Sequence, residues 1–292
     1  MIHDHCACIS YVIRIDRPIA PGLCLLLYFQ VRFQTIHTEE CKDMNFFQKK
    51  LFGGNTLAKS EDGTTIYGYD AQDERQITPP SNILYMEDLN EHFNRVFPNR
   101  ETGVFHELIS DIVHIDVNIM DATPDEPYRV LYTNGMSDLP MTLPQEIRKE
   151  YKHLERAELM MFFCRRTGRL RRRIFEAEEN YWPIRLMKML ARFPHMYQTW
   201  LGYGHTIPNT EDYEPYAANT ELSGVILFAL PEEVSTVHTK DGNQVQVYFL
   251  VPLYREEMEF KLESGMDELV AKLSELSDDF LVLNPNRHNV CK

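Results

Sequence analysis

The segment FHELISDIVHIDVNIM, residues 105–120, becomes a strict alternation of apolar and polar side chains from 113 to 119. In an extended chain such alternation sorts side chains onto two faces. The apolar face carries Val113, Ile115, Val117 and Ile119, and the polar face carries His114, Asp116 and Asn118. The pattern predicts a β-strand with one side packed on a core, so the chain must build a sheet around it.

Further segments have the composition of strands and are separated by turn residues. They are TTIYGYD at 64–70, which alternates from Thr65 to Asp70, YRVLYT at 128–133, RAELMMFF at 156–163, GVILF at 224–228, and a hairpin over 233–254 whose turn is Asp241-Gly242. The hairpin prediction rests on the Asp-Gly pair, which favours a tight turn between two antiparallel strands.

Three segments have helical spacing. The first runs from Met86 to Val96 and is stopped by Pro98. The second is predicted to be capped by Asn180, with Pro183 in its first turn and Pro194 at its end. The third covers Met258 to Leu276 and is broken near Gly265. Since strands and helices mix without regular βαβ alternation, the prediction is an α+β fold with a mixed, mainly antiparallel sheet flanked by helices.

Composition narrows the function classes. The chain has 292 residues, 43% hydrophobic and 25% charged, with a formal net charge of -14. Such a charge argues against general nucleic-acid binding, which needs a basic footprint; it suits either solubility alone, without such a partner, or a basic protein partner. The apolar stretch PIAPGLCLLLYFQV, 18–31, is too short for a membrane span. We expect a cytoplasmic protein without a cofactor; the group His3, His5, Cys6 and Cys8 matches no zinc spacing.

The domain organisation is predicted from the start of the chain. Met44 opens MNFFQKKLFGG, which is typical of a natural start, so we expect residues 1–43 to be a non-native extension and 44–292 to form one domain. The basic run CRRTGRLRRR, 164–173, has the charge of a phosphate or nucleic-acid patch, but it lacks interleaved aromatic residues and stands beside an apolar strand, which favours a solvated loop; a local frame error is the third explanation. We assign it no function.

The polar strand face is the best candidate for chemistry. His114 and Asp116, preceded by His106 and Glu107, supply residue types that serve as acid, base or metal ligand. There is no HExxH motif, and a solvent-facing strand or a hydrogen-bonded polar network explains the same pattern. Ser137 in NGMSD lacks the G-x-S-x-G context of a nucleophile, and Asn134-Gly135 predicts a turn with Asp138 bonding local amides.

The loop TWLGYGHTIPN, 199–209, is the best candidate for recognition. Trp200, Tyr203 and His205 offer rigid surface with polar tips, and Gly202 and Gly204 allow positive φ or a close approach. A buried aromatic corner between helix and sheet is the alternative.

Several of these stretches together resemble the suppressor of fused (Sufu) domain family in its short bacterial, single-domain form. They are NGMSDLPM at 134–141, RAELMM at 156–161, NYWPIRLMKMLARFPH at 180–195, TWLGYGHTIPN at 199–209 and VPLYREEMEFKL at 251–262. The resemblance covers about residues 80 to 275. It implies one domain and a protein-binding role rather than an enzyme.

The relatives suggest two kinds of partner. Animal members are two-lobed and sequester a transcription factor through a peptide added as a strand, and this chain is similar to one lobe only. Bacterial members resemble immunity proteins of polymorphic toxin systems, which neutralise a cognate toxin, often a nuclease. We therefore expect an immunity or antitoxin-type inhibitor. Its predicted partner-binding residues are Trp200, Tyr203, His205, Asp138, His114 and Asp116.

Two alternatives stay open at this point. One is a regulatory scaffold that binds peptides, and the other is a metal-dependent enzyme that uses His106, His114 and Asp116.

Overall fold

A computed structural model describes residues 55–59, 65–68, 83–107, 112–145, 147–164, 175, 177–276 and 278–292. The predicted extension 1–43, the group at His3 to Cys8 and most of the basic run lie outside these residues. The boundary at Met44 therefore stays a prediction.

The strands form two sheets. Strands β1 (Asn55–Lys59) and β2 (Thr65–Gly68) pair as an antiparallel hairpin. The larger sheet contains β3 (Thr102–Phe105), β4 (Asp116–Met120), β5 (Tyr128–Asn134), β6 (Ala157–Cys164), β7 (Thr206–Pro208), β8 (Gly224–Ala229), β9 (Thr236–His238), β10 (Gln244–Leu253) and β11 (Val282–Leu283).

The larger sheet is mixed and mainly antiparallel, which confirms the predicted fold class. Its main path is β3-β4-β5-β6-β10-β8-β7; in addition β9 pairs with β10, and β11 with β6. Among the strands described, only the β6–β10 and β6–β11 pairs are parallel. Strands β8 and β9 both pair antiparallel with β10, so they form one strand line interrupted by a single helical turn.

Helices flank the sheet in the described part of the chain. They are α1 (Met86–Val96), α2 (Glu178–Met196), α3 (Glu232–Ser235), α4 (Arg255–Ser264) and α5 (Met266–Ser274). The predicted stop at Pro98, the Asp241-Gly242 hairpin turn and the break at Gly265 are confirmed.

Helix α2 differs from its prediction at both ends. It begins at Glu178 with Ala177 as N-cap, so Asn180 is not the cap, and it continues through Pro194 to Met196. Pro183 has no amide hydrogen to donate to the carbonyl four residues earlier. The side-chain amide of Asn219 donates to that Glu179 carbonyl instead, at 3.1 Å, which explains how the helix tolerates the proline.

Two hydrophobic cores cover the two faces of the sheet, because alternate strand residues point to opposite sides. One core joins Leu131 and its neighbours to Trp182 and Leu190 of α2. The other joins Val130 and Tyr132 to α1, α4 and α5. The predicted apolar face, Val113, Ile115, Val117 and Ile119, lies in the first core and is fully buried.

Candidate functional site

One end of the sheet gathers most of the predicted residues, and we name it the Asp116 end. Asp116 opens β4 and lies opposite Asn134, the last residue of β5. Strands β6 and β10 begin at the same level, with Ala157 beside Gln246, and β8 ends there at Ala229. Loops that enter and leave the sheet at this level therefore meet.

Gly135, directly after β5, lies against the backbone just before β4. Its φ of 109° lies in the left-handed region, and a Cβ atom there would lie 2.0 Å from the carbonyl oxygen of His114. The predicted Asn134-Gly135 turn is therefore confirmed. It leads into a 3-10 turn, Met136–Asp138, that presses against the entry to β4.

Asp116 is a buried carboxylate shared by two histidines. Its Oδ2 lies 2.8 Å from Nδ1 of His106, and its Oδ1 lies 2.9 Å from Nε2 of His114. The backbone amide of Glu107 also donates to Oδ1, at 3.0 Å. Of the alternatives for the polar strand face, the structure shows the hydrogen-bonded network. The His106 side chain is 63% exposed, so the network reaches the surface.

A second ion pair ties this network to α2. Glu107 pairs with Arg192 and also accepts a hydrogen bond from the amide of Ile115 at 3.1 Å. Lys188, one turn earlier on α2, has its pKa lowered by burial, opposed by the negative charges of Glu107 and Asp116. The polar cluster is thus held between β4 and α2.

Asp138 bonds across the molecule rather than locally. Its Oδ1 accepts a hydrogen bond from the amide of Leu84, 54 residues earlier, at 2.9 Å. The predicted local bonding of Asp138 in its turn is therefore wrong, because the segment before α1 supplies the donor. Burial raises the pKa of Asp138 to about 6, opposed by hydrogen bonding to the backbone of Leu84 and Tyr85 and by the charge of Arg156.

Glu158 is a central residue that the sequence analysis missed. It is fully buried on β6 and accepts hydrogen bonds from the hydroxyls of Thr133 and Ser137, at 2.6 and 2.7 Å, and from the amides of Gly135 and Ser137, at 3.0 and 2.9 Å. Burial raises its pKa to about 7. Ser137 is itself fully buried, so its hydroxyl holds the turn instead of facing a substrate.

The aromatic loop lies at the β8 edge. The amide of Gly204 donates to the Leu227 carbonyl and the amide of Leu227 to the His205 carbonyl, at 2.8 and 3.0 Å, so the loop extends the pairing of β7 with β8. Gly204 has a φ of 76°, and a Cβ at Gly202 would lie 2.5 Å from the Trp200 ring. Gly204 therefore has the predicted positive φ, and the missing side chain of Gly202 leaves room for the Trp200 ring.

The three loop side chains have different environments. The rings of Trp200 and His205 meet edge to face at 4.7 Å, and Nδ1 of His205 accepts the Gly202 amide at 3.2 Å. Burial lowers the pKa of His205 to about 4, assisted by Lys261. Tyr203 is 40% exposed. Trp200 and His205 form the aromatic corner of the alternative interpretation, and Tyr203 faces outward, so the recognition role of the loop stays a prediction.

The structure brings the predicted residues to one end of the sheet but in two groups. His114, Asp116 and Asp138 lie at β4 and β5, and the aromatic loop lies at β8, four strand positions away. At a strand spacing of about 4.8 Å this is roughly 19 Å. The backbone bond between Thr142 and Thr199, at 3.0 Å, links the segments between them.

Neither a metal site nor a membrane span is found in the described residues. Within them no group of three or more His, Cys, Asp or Glu side chains is placed to hold a metal ion. His106 and His114 both direct a ring nitrogen to Asp116. No helix in the same part of the chain is long and apolar enough to cross a bilayer.

Similar folds occur in solved structures. A suppressor of fused homologue from Neisseria gonorrhoeae FA 1090 has a TM-score of 0.51 at 15% identity, covering 72% of this chain and 98% of that one. A chain of a Sufu–Fu complex has a TM-score of 0.53 at 17% identity, covering 70% of this chain and 91% of that one. Drosophila Suppressor of Fused has a TM-score of 0.52 at 15% identity, covering 70% of this chain and 51% of the Drosophila chain.

Sequence comparison identifies the family. No curated protein matches the chain in sequence. The family model described as suppressor of fused protein (SUFU) matches residues 111–288, which is more than half of the chain. That range includes β4 to β11, the shared carboxylate Asp116, Glu158 and the aromatic loop. The chain therefore belongs to the suppressor of fused family.

Proposed function

We propose that this chain is a non-enzymatic binding protein that inhibits a cognate protein partner through the Asp116 end of its sheet. Family membership supports a binding role, since a protein with a similar fold is found in the Sufu–Fu complex. The observation that carries the proposal is the exposure of His106 and Tyr203 on a rigid scaffold at the same end of the sheet. Side chains fixed in this way lose little entropy when a partner docks.

The chemistry of the end suits recognition better than catalysis. Asp116 is bonded to two imidazoles and an amide, and Glu158 to four donors, so these carboxylates stabilise the loops that display the surface. A carboxylate that acts as the general acid or base must instead present an oxygen to a substrate.

The partner we propose is a basic toxin, with a nuclease as the leading class. Nucleases carry positive charge where they bind phosphates. A net charge of -14 and a sequence pI near 5.2 create a potential that attracts such a surface and accelerates capture. The chain would then act in the cytoplasm as an immunity protein.

A pull-down from the native host tests this proposal. Tagged wild-type chain is expected to retrieve a partner, and Tyr203→Ala and His106→Ala are expected to retrieve less of it. Asp125→Asn is the control, because Asp125 is exposed in the turn between β4 and β5, at the opposite end of the sheet. Circular dichroism checks that each variant is folded. Equal retrieval by all variants would contradict the site.

The toxin identity needs its own experiment. Co-expression of the chain with each basic toxin encoded beside its gene is expected to restore growth for one of them. Growth inhibition that the chain never relieves would leave a binding protein without an immunity role.

A regulatory peptide-binding scaffold is the second candidate, and the edge strand β3 favours it. In the described sheet β3 pairs with β4 on one side only. An edge of this kind offers backbone groups to an added strand. Proline at Gly103 and at Val104 tests the edge, since alternate amides face β4 and the solvent. One variant is expected to keep the fold and lose a peptide ligand.

A further inference from the structure

Three aromatic rings lie next to one another near β8, toward the side of the sheet opposite β3. The centroids of Tyr203 and Phe228 are 6.3 Å apart, and those of Phe228 and Phe280 are 6.5 Å apart. Tyr203 comes from the loop before β7, Phe228 from β8 and Phe280 from the 3-10 turn Asp278–Leu281. We name this group the aromatic ridge.

The ridge lies where the backbone pairing along the outer side of β8 ends. Strand β7 pairs with β8 only from Gly224 to Ile226, and the hydrogen bonds of Gly204 and His205 extend that pairing to Leu227. Phe228 and Ala229 lie beyond it. Tyr203 and Ala229 are exposed, and Phe228 and Phe280 are half-buried.

The chain segments that supply two of the three rings are acidic. Glu232 and Glu233 open the helical turn that is separated from the end of β8 by two residues and are exposed, and Glu275 is exposed at the end of α5. The sequences 228–235 and 274–283, which supply two of the three rings, contain no lysine or arginine.

We propose that the aromatic ridge is the docking surface for a partner segment that carries apolar side chains next to lysine or arginine. This inference rests on the proposed function, because it assigns part of the partner-binding surface. Rigid aromatic side chains are the usual anchors of protein interfaces. The flanking carboxylates select a cationic segment by complementary potential.

The same charges exclude other occupants. A nucleic acid would bring phosphates to three exposed carboxylates and be repelled. A second copy of the chain would face the ridge with an equally acidic surface, at a net charge of -14 on each copy.

Selection of short random peptides displayed on phage, against the immobilised full chain, tests the ridge. The selected peptides are expected to combine aromatic or aliphatic residues with lysine or arginine. Phe228→Ser is expected to weaken their binding by about tenfold or more, as for an interface anchor. The double variant Glu232→Gln with Glu233→Gln changes only exposed groups, and it is expected to weaken binding and reduce its dependence on salt. Asp125→Asn is expected to bind as wild type.

Several outcomes would overturn the inference. These are recovery of no peptide, recovery of peptides without basic residues, and equal binding by wild type and both variants. Self-association in sedimentation that Phe228→Ser abolishes would assign the ridge to a second copy and overturn it as well.

The failure of this inference differs from failure of the proposed function. A native partner retrieved equally by wild type and both ridge variants, but lost in His106→Ala, keeps the function and removes the ridge. Absence of any native partner counts against the function, and the peptide selection still decides the ridge.

Discussion

The carboxylate of Asp138 accepts the backbone amide of Leu84 at 2.9 Å and so joins the entry of α1 to the Asp116 end of the sheet. Its other oxygen, Oδ2, is buried and has no hydrogen-bond partner among the described residues. A carboxylate bonded on one side only loses much of its hydration on folding. This explains why burial raises the pKa of Asp138 to about 6.

The first prediction is that Asp138 makes the protein less stable as pH rises. Its pKa is raised from 3.8 to about 6, so between these values the folded chain holds a proton that the unfolded chain has released. The free energy of unfolding then falls with pH across that window, by at most about 3 kcal/mol. Asp138→Asn retains an acceptor for Leu84 and removes the titration. Urea unfolding across the window is expected to show wild type losing stability relative to Asp138→Asn, and parallel curves would contradict this.

The second prediction concerns Glu158. Glu158→Ala leaves the amides of Gly135 and Ser137 without their acceptor in a fully buried place. We expect a loss of about 3 to 5 kcal/mol in the free energy of unfolding, measured by chemical denaturation.

Glu158→Gln is the matched control. Its carbonyl oxygen can keep the three bonds that Oε1 of Glu158 accepts, so the loss is expected to be clearly smaller. Equal losses in both variants would contradict this, because glutamine keeps the volume and one acceptor oxygen; the loss would then come from the second carboxylate oxygen, which accepts the Thr133 hydroxyl, or from the charge.

Glu158 also shows where sequence-based inference ended. The strand RAELMMFF was predicted from its apolar residues, and β6 is confirmed at Ala157–Cys164. A carboxylate within such a strand normally marks a solvent face. Here β6 lies between β5 and β10 with a core on each side, and the donors come from a turn after β5. Long-range pairing of this kind leaves no local pattern.

Local patterns predicted most helices and strands, because these elements depend on residues that are close in sequence. The alternation through Val117 and Ile119 and the stop at Pro98 are properties of neighbouring residues. The predicted start of α2 was wrong. The helix begins earlier because the side chain of Asn219 donates to the carbonyl of Glu179, 40 residues before it, which Pro183 cannot do. The loop around Tyr203 was found from its composition, whereas the ring of Phe280 beside it is placed by the fold.

The third prediction is that His195 destabilises the protein in acid. Its Nε2 lies 3.1 Å from the carbonyl oxygen of Met136, and burial lowers its pKa from 6.5 to about 4. Between these values the unfolded chain binds a proton that the folded chain does not. Stability from this group is present above about pH 6.5 and is lost as pH falls toward about 4, by up to about 3 kcal/mol.

Thermal unfolding of His195→Gln across that range measures the effect. The variant is expected to lose less stability than wild type as pH falls, because glutamine can donate to Met136 without titrating. His153→Gln, at an exposed position, controls for removing an imidazole as such. If His195→Gln loses stability with falling pH as steeply as wild type, the acid sensitivity comes from other groups.

The fourth prediction compares two glycines that both have positive φ. Gly135→Ala places a methyl group 2.0 Å from the His114 carbonyl oxygen at a φ of 109°, whereas Gly242 has a φ of 85° and a methyl group added there would meet nothing within 4 Å. Gly242→Ala is expected to cost about 1 to 2 kcal/mol from backbone conformation alone. Gly135→Ala adds a steric overlap with backbone that cannot rotate away, so its cost is expected to reach about 4 kcal/mol or more.

Because the displaced strand entry carries His114 and Asp116, Gly135→Ala is also expected to weaken partner binding in the fraction that remains folded, and Gly242→Ala is not. Equal destabilisation by the two substitutions would mean that the turn and the β4 entry are not held in contact in solution.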